Sequence, residues 1–181
     1  SNANFPLDGE PFDAMSLVFQ RKADKEDEVK NKHYTNYDEG IYVGYRYFDK
    51  SNVPVSFPFG FGLSYTEFGY SDLRVQKMND SLNISVAIKN SGEYAGKEVV
   101  QFYAEKSNSE IDRPVRELKA FYKTKQLQPG EVETITIKLP LDELSYWNEE
   151  TNQWKIENGS YVIYAAASSR DTRARIEFEV N

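Results

Sequence analysis

Leu82-Asn-Ile-Ser-Val-Ala-Ile-Lys89 alternates apolar and polar residues without a break. Leu82, Ile84, Val86 and Ile88 fall on one side of an extended chain, and Asn83, Ser85, Ala87 and Lys89 on the other. That is the period-2 pattern of a strand with one buried face. The same pattern recurs twice towards the C-terminus. Ile135, Ile137 and Leu139 alternate with Thr134, Thr136 and Lys138; Ala174, Ile176, Phe178 and Val180 alternate with Arg173, Arg175, Glu177 and Glu179. Val99–Ala104, Leu118–Lys123 and Tyr161–Ala167 are further runs rich in β-branched and aromatic residues, and Phe68–Val75 reads as a first strand. Turn signals separate the runs: Asn79-Asp80, Ser91-Gly92, Pro129-Gly130, Asn158-Gly159 and Ser168-Ser169. About seven short strands with no strong helical period predict an all-β, antiparallel β-sandwich over residues 65–181.

Residues 4–64 are of another texture. They hold Pro6, Pro11, Pro54 and Pro58, the charge run Arg21–Lys32 and little alternation. Ala14–Gln20 is compatible with a short helix or strand, and Lys22–Lys32 with a helix pairing Glu26 and Lys30. The stretch from Tyr34 to Tyr65 is dense in aromatics, Gly and Pro. Its Tyr and Phe side chains need a surface to bury against, so this segment predicts an irregular lead with little helix. Ser1-Asn2-Ala3 reads as the scar of a cleaved expression tag. The expectation is therefore an excised piece of a longer protein.

Composition removes much chemistry. The chain has 181 residues, a formal charge of −7, one His and no Cys. It is too short for a (β/α)8 barrel, which needs roughly 200 residues or more. Without Cys there is no disulfide and no Cys nucleophile or ligand. One His cannot supply a two-His metal site, so neither metal nor cofactor is expected. The acidic balance argues against nucleic acid, which recruits Lys and Arg, and no apolar run reaches the roughly 18 residues of a membrane span.

Candidate sites are few. Asp38-Glu39 precedes an aromatic run and could face a sugar, but it reads first as a turn or helix start with Asp38 as the cap. Asp24-Lys-Glu-Asp-Glu28 lacks the Gly and ligand spacing of a calcium loop. His33 has no nucleophile elbow to serve. Phe59-Gly-Phe-Gly62 lacks the rest of any phosphate-binding motif. Tyr146, Trp147 and Trp154, around a turn at Asn148–Asn152, are the candidates for contact with a sugar, because flat rings stack on pyranose faces. The competing reading is that they fill or cover the sandwich core.

Several longer motifs, in order, resemble a known family. Glu39-Gly-Ile-Tyr-Val-Gly-Tyr-Arg-Tyr-Phe-Asp49 and Phe57-Pro-Phe-Gly-Phe-Gly-Leu-Ser-Tyr-Thr-Glu-Phe68 look like the segment that leads into the C-terminal domain of family 3 glycoside hydrolases. Asn90-Ser-Gly, Gly96-Lys-Glu-Val-Val-Gln-Phe-Tyr103, Arg113-Pro-Val-Arg-Glu-Leu-Lys-Ala-Phe121, Leu127-Gln-Pro-Gly-Glu131, Leu144-Ser-Tyr-Trp147 and Trp154-Lys-Ile-Glu-Asn-Gly-Ser-Tyr161 resemble that family's fibronectin type III-like domain. The β-glucosidase-like members, many of them bacterial, are the most similar, and the resemblance covers about residues 34–181.

The resemblance implies an immunoglobulin/fibronectin type III-like sandwich at 65–181, with 4–64 as linker and tail of a preceding α/β sandwich domain. It implies that the nucleophile and the acid/base lie upstream, so no residue here receives a catalytic role and the fragment alone is not an enzyme. The parent would be a retaining glycoside hydrolase acting on oligosaccharides or glycosides in carbohydrate metabolism. The fragment would stabilise and position the catalytic domains, with Ile41, Tyr42, Tyr45, Tyr47 and Phe48 as interdomain anchors. Upstream domains of the same chain are the implied partners, with a homodimer compatible, and the location implied is periplasmic or secreted. The loop Ser107–Pro114 is a candidate to reach the substrate entrance. The alternative is a stand-alone carbohydrate-binding or protein-interaction β-sandwich, whose sign would be an exposed, coplanar row of aromatics involving Tyr146, Trp147 or Trp154.

Overall fold

In a computed structural model, described here over residues 39–181, each alternating run becomes a strand. The strands are β1 (Phe68–Lys77), β2 (Ser81–Asn90), β3 (Val99–Lys106), β4 (Glu117–Lys123), β5 (Val132–Pro140), the short β6 (Tyr146–Asn148) and β7 (Gln153–Lys155), then β8 (Gly159–Ser168) and β9 (Asp171–Val180). A 3-10 turn, Leu141–Leu144, follows β5. The seven long strands form two antiparallel sheets, ordered β1-β2-β5 and β4-β3-β8-β9, and β6 and β7 pair as a separate hairpin. The expected seven-stranded sandwich is the observed architecture. The calls on Ser1–Ala3, Ala14–Gln20, Lys22–Lys32 (with Asp24–Glu28), His33 and Asp38 lie outside the described residues.

Alternation explains the core. Leu82, Ile84, Val86 and Ile88 of β2 are fully buried, and Leu82, Ile84 and Val86 stand opposite Leu139, Ile137 and Ile135 of β5. They meet Val100, Phe102, Ala104, Tyr161, Ile163 and Ala165 of the facing sheet in one continuous cluster. Burying such a side chain stabilises the fold by about 1.5–3 kcal/mol.

β3 and β8 depart from simple alternation, because they are buried on both faces along most of their length. Tyr103, Val162, Tyr164 and Ala166 point away from the core and form a second buried cluster with Tyr45 and Leu118. Two-sided burial is why Tyr161–Ala167 reads as an unbroken apolar run. The cover on the outer face is the lead segment itself. It contains a six-residue helix, Tyr45–Lys50, that the aromatic pattern did not announce.

Candidate functional site

The lead segment is bonded to the sandwich along its length. At its start, the Tyr42 hydroxyl donates to Asp112 at 2.6 Å, and Lys50 Nζ reaches the same carboxylate at 2.7 Å while sitting 3.6 Å over the Tyr42 ring. Arg46 pairs with Glu117 at 3.3 Å. Tyr45 stacks on Phe59 at 5.0 Å, meets Tyr103 edge-on at 6.0 Å, and its hydroxyl accepts the backbone N–H of Leu118 at 2.9 Å. That last bond satisfies a donor on the edge strand β4.

The turn between β8 and β9 holds the other end. Arg170 Nε bonds Asp49 Oδ1 at 2.8 Å, and its terminal nitrogen donates to the carbonyls of Phe48 and Val53, each at 2.9 Å. The Ser169 N–H donates to the Phe59 carbonyl at 2.8 Å. The planar fork of Arg suits such multiple donation better than an ammonium would. The Gln101 amide donates to the carbonyls of Ala167 (2.8 Å) and Gly60 (3.2 Å), while its oxygen accepts the Tyr103 hydroxyl at 2.6 Å. Gly60 sits at φ +79°, and a Cβ there would collide with the Gln101 side chain. A glycine is therefore required at this approach.

Two further networks set the loops. Asn90 is fully buried at the end of β2. Its Oδ1 accepts from the Thr66 hydroxyl and the Gly92 N–H, and its Nδ2 donates to the carbonyls of Tyr94 and Leu127. All the hydrogen-bonding capacity of the amide is used, as a buried polar group requires. Glu157 ties down the loop Ser107–Pro114. It accepts from Ser109 Oγ at 2.7 Å, the Glu110 N–H at 2.8 Å and Arg113 at 3.4 Å, and Arg113 also donates to the Leu144 carbonyl. Burial pushes the Glu157 carboxyl up, but these donors outweigh it and hold the group below its ordinary range.

The sequence-predicted residues fall in two places. Tyr45 packs on the sandwich, Phe48 is half-buried with its ring edge-on to Tyr47, Tyr42 is half-buried on Asp112, and Ile41 and Tyr47 are exposed. Trp147 and Trp154 are cross-strand partners on the β6–β7 hairpin, 46% and 68% exposed, with rings 5.5 Å apart at 71°. They are exposed but not coplanar. Edge-to-face packing of this kind also stabilises a short hairpin. Tyr146 is half-buried, with Arg113 6.0 Å over its ring.

Glu98, unremarked in the sequence, carries a shifted carboxyl. Burial raises it, against the Tyr70 hydroxyl that donates to it at 2.8 Å and the nearby Arg173. Among the described residues no group of three or more His, Asp or Glu side chains is placed to hold a metal ion.

The structure also exposes a row that spacing alone could have marked. Phe57, Phe59, Phe61, Leu63 and Tyr65 occupy every second position and all are exposed. Beside them runs a cleft of about 1210 Å³ between the lead segment and the sheet.

The profile of the fibronectin type III-like domain matches residues 98–169. The chain is 44% identical over 149 residues to thermostable beta-glucosidase B of Acetivibrio thermocellus, covering 80% of this chain and 20% of that protein. It is 48% identical over 148 residues to a beta-glucosidase of Kluyveromyces marxianus, at 80% and 17%. Among solved structures, beta-glucosidase 3B of Thermotoga neapolitana in complex with α-D-glucose aligns with a TM-score of 0.77 at 43% identity, covering 80% of this chain and 20% of that one. The chain thus spans about a fifth of the length of the curated relatives it matches. A fold of two antiparallel sheets, a family profile on β3–β8 and identities above 40% that extend beyond that profile lead to one statement: the chain carries a fibronectin type III-like domain and resembles the C-terminal fibronectin type III-like region of the glycoside hydrolase family 3 β-glucosidases.

Proposed function

We propose that this chain is the non-catalytic C-terminal module of a retaining family 3 glycoside hydrolase that cleaves β-glucosidic bonds, and that it holds the catalytic domains in position. Residues 65–181 are the module's sandwich, and 4–64 lead into it from the preceding domain. One observation carries the reading: the lead segment is bonded to the sheet from Tyr42 to Gly60, so whatever precedes it is tied to a rigid body. Chemistry stays with the upstream carboxylates, which retaining enzymes hold roughly 5–5.5 Å apart. Deleting residues 66–181 from the full-length protein is expected to lower its Tm and its kcat/KM for an aryl β-glucoside. Unchanged stability and unchanged activity would sink the proposal.

The exposure of Trp147 and Trp154 meets one half of the sign of a second reading, a sugar-contacting sandwich, while their rings at 71° fail the other half, coplanarity. These are the chain's two tryptophans, so emission excited beyond the absorption of its 13 tyrosines reports on the hairpin alone. Under this reading, millimolar cello-oligosaccharide shifts the emission of the chain, and Trp154→Ala abolishes the shift. Under the positioning reading, the emission does not move.

A further inference from the structure

Asn158-Gly159 is the chain's single Asn-Gly step. It leads into β8, with Asn158 exposed and its side-chain amide without a hydrogen-bond partner among the described residues. Other asparagines are held or crowded. Asn90 is buried with its amide fully bonded, and the Asn148 side chain accepts twice from Thr151. Asn52, Asn79, Asn83, Asn108 and Asn152 are each followed by a residue whose side chain crowds its own N–H.

The surroundings of Gly159 add to this. It has φ +109°, and the Lys106 ammonium lies 3.3 Å from where a Cβ on Gly159 would stand. That ammonium is fixed by donating to the Ser107 carbonyl at 2.8 Å. A positive charge held there favours negative charge on Gly159 N as it attacks, and on the oxygen of the adduct that follows. The Glu157 carboxylate would oppose it, but is engaged by Ser109, the Glu110 N–H and Arg113. Gly159 pairs with Val180, the last residue of β9, so it sits at a corner of the sheet, where a ladder opens most readily.

We propose that Asn158 is a site of spontaneous deamidation, assisted by Lys106, whose conversion releases the loop Ser107–Pro114. Gly159 N attacks Asn158 Cγ and the N–C bond forms. The bond from Cγ to Nδ2 breaks, and Nδ2 leaves as ammonia with the proton that Gly159 N gave up. Water then opens the cyclic imide at one of its two carbonyls, giving Asp or isoaspartate. The step lies between two anchors of the loop. Glu157 before it accepts from Ser109 and the Glu110 N–H, and the Ser160 carbonyl after it accepts the Ser107 N–H at 3.0 Å. Isoaspartate adds a carbon to the main chain between these anchors, and either product sets a second carboxylate beside Glu157.

The test incubates the 181-residue chain at 37 °C and pH 7.5 for weeks and maps its peptides by mass spectrometry. Among residues 39–181, Asn158 is expected to convert first, with isoaspartate in excess of Asp. Asn158→Gln should keep its amide. Lys106→Met should slow the conversion about fivefold, the effect of a unit charge a few ångströms away in water. Lys106→Arg keeps the charge and should keep the rate; Lys106→Gln is the second neutral variant, should Lys106→Met fail to fold. Amide exchange over residues 107–114 should quicken in aged wild type and stay unchanged in aged Asn158→Gln. An Asn158 that keeps its amide while another asparagine of residues 39–181 converts overturns the site. Equal rates in the neutral Lys106 variants and wild type overturn the assistance. A loop that exchanges alike in fresh and converted protein overturns its release.

Discussion

Glu98 precedes β3 with its backbone N–H on the Thr124 hydroxyl and its carboxylate on the Tyr70 hydroxyl. Burial raises its pKa in the native state, so the folded protein binds this proton more tightly than the unfolded chain does. Stability therefore falls as pH rises from the ordinary carboxylate range through the raised native value. Gln keeps an oxygen to accept from Tyr70 and carries no charge. Glu98→Gln is expected to raise the Tm by about 2 °C at pH 7.5, a modest figure because the group is only partly buried, and to change nothing near pH 4. Thermal melts of the two proteins across pH 4–8 check this. An equal Tm at pH 7.5, or a gain as large at pH 4, contradicts the assignment. Glu157 has the opposite sign. Its stabilisation is present above the ordinary range and is lost as pH falls through the lowered native value.

At the scale of elements, the β8–β9 turn is the receptor for the lead segment. Arg170→Ala removes the partner of a mostly buried Asp49 and frees two carbonyls. The expected cost is about 2 kcal/mol. The diagnostic measurement is amide hydrogen exchange: residues 45–61 should exchange faster, and β2 and β5 should not. Uniform exchange changes, or none, would show that Arg170 does not hold this segment in place.

The seven long strands were legible because one-sided burial writes a period of 2 into the sequence, as in Leu82–Ile88. Two-sided burial erases that period, and Tyr161–Ala167 reads correctly as a strand only through its residue types and flanking turns. The helix Tyr45–Lys50 was not legible. Tyr, Phe and Asp are poor helix formers, and six residues cannot sustain a helix in isolation; bonds from Leu118, Arg170 and Glu117 hold it. The clustering of aromatics in Ile41–Phe48 announced a need for a surface, but not that part of that surface is the chain's own sheet. Nothing local in Glu98, Gln101 or Arg170 marks their roles, since each depends on partners 28 to 122 positions away.

For the whole molecule, sandwich and lead segment form one packed body with two clusters, one between the sheets and one outside them. A chain beginning at Thr66 would bare Tyr103, Tyr164 and Ala166. It is expected to fold, with a Tm lower by roughly 10 °C and with new binding of a hydrophobic dye at the bared sheet. Calorimetry and dye titration on both chains decide this. Equal melting temperatures would mean that the outer cluster contributes nothing and that the module begins at β1.

The bonded lead segment also changes how length tolerance at the junction should be understood. A flexible stretch of the size of residues 42–65 would wander over roughly 25–30 Å between its ends, and adding or removing a residue would scarcely alter that distance. Here the contacts at Asp112, Leu118, Gln101 and Arg170 are fixed stations along the sheet. A single inserted residue between Lys50 and Gly60 shifts one station out of register with the next. The junction behaves as a keyed joint rather than a tether, and evolution or engineering can vary the side chains between the stations far more freely than the length.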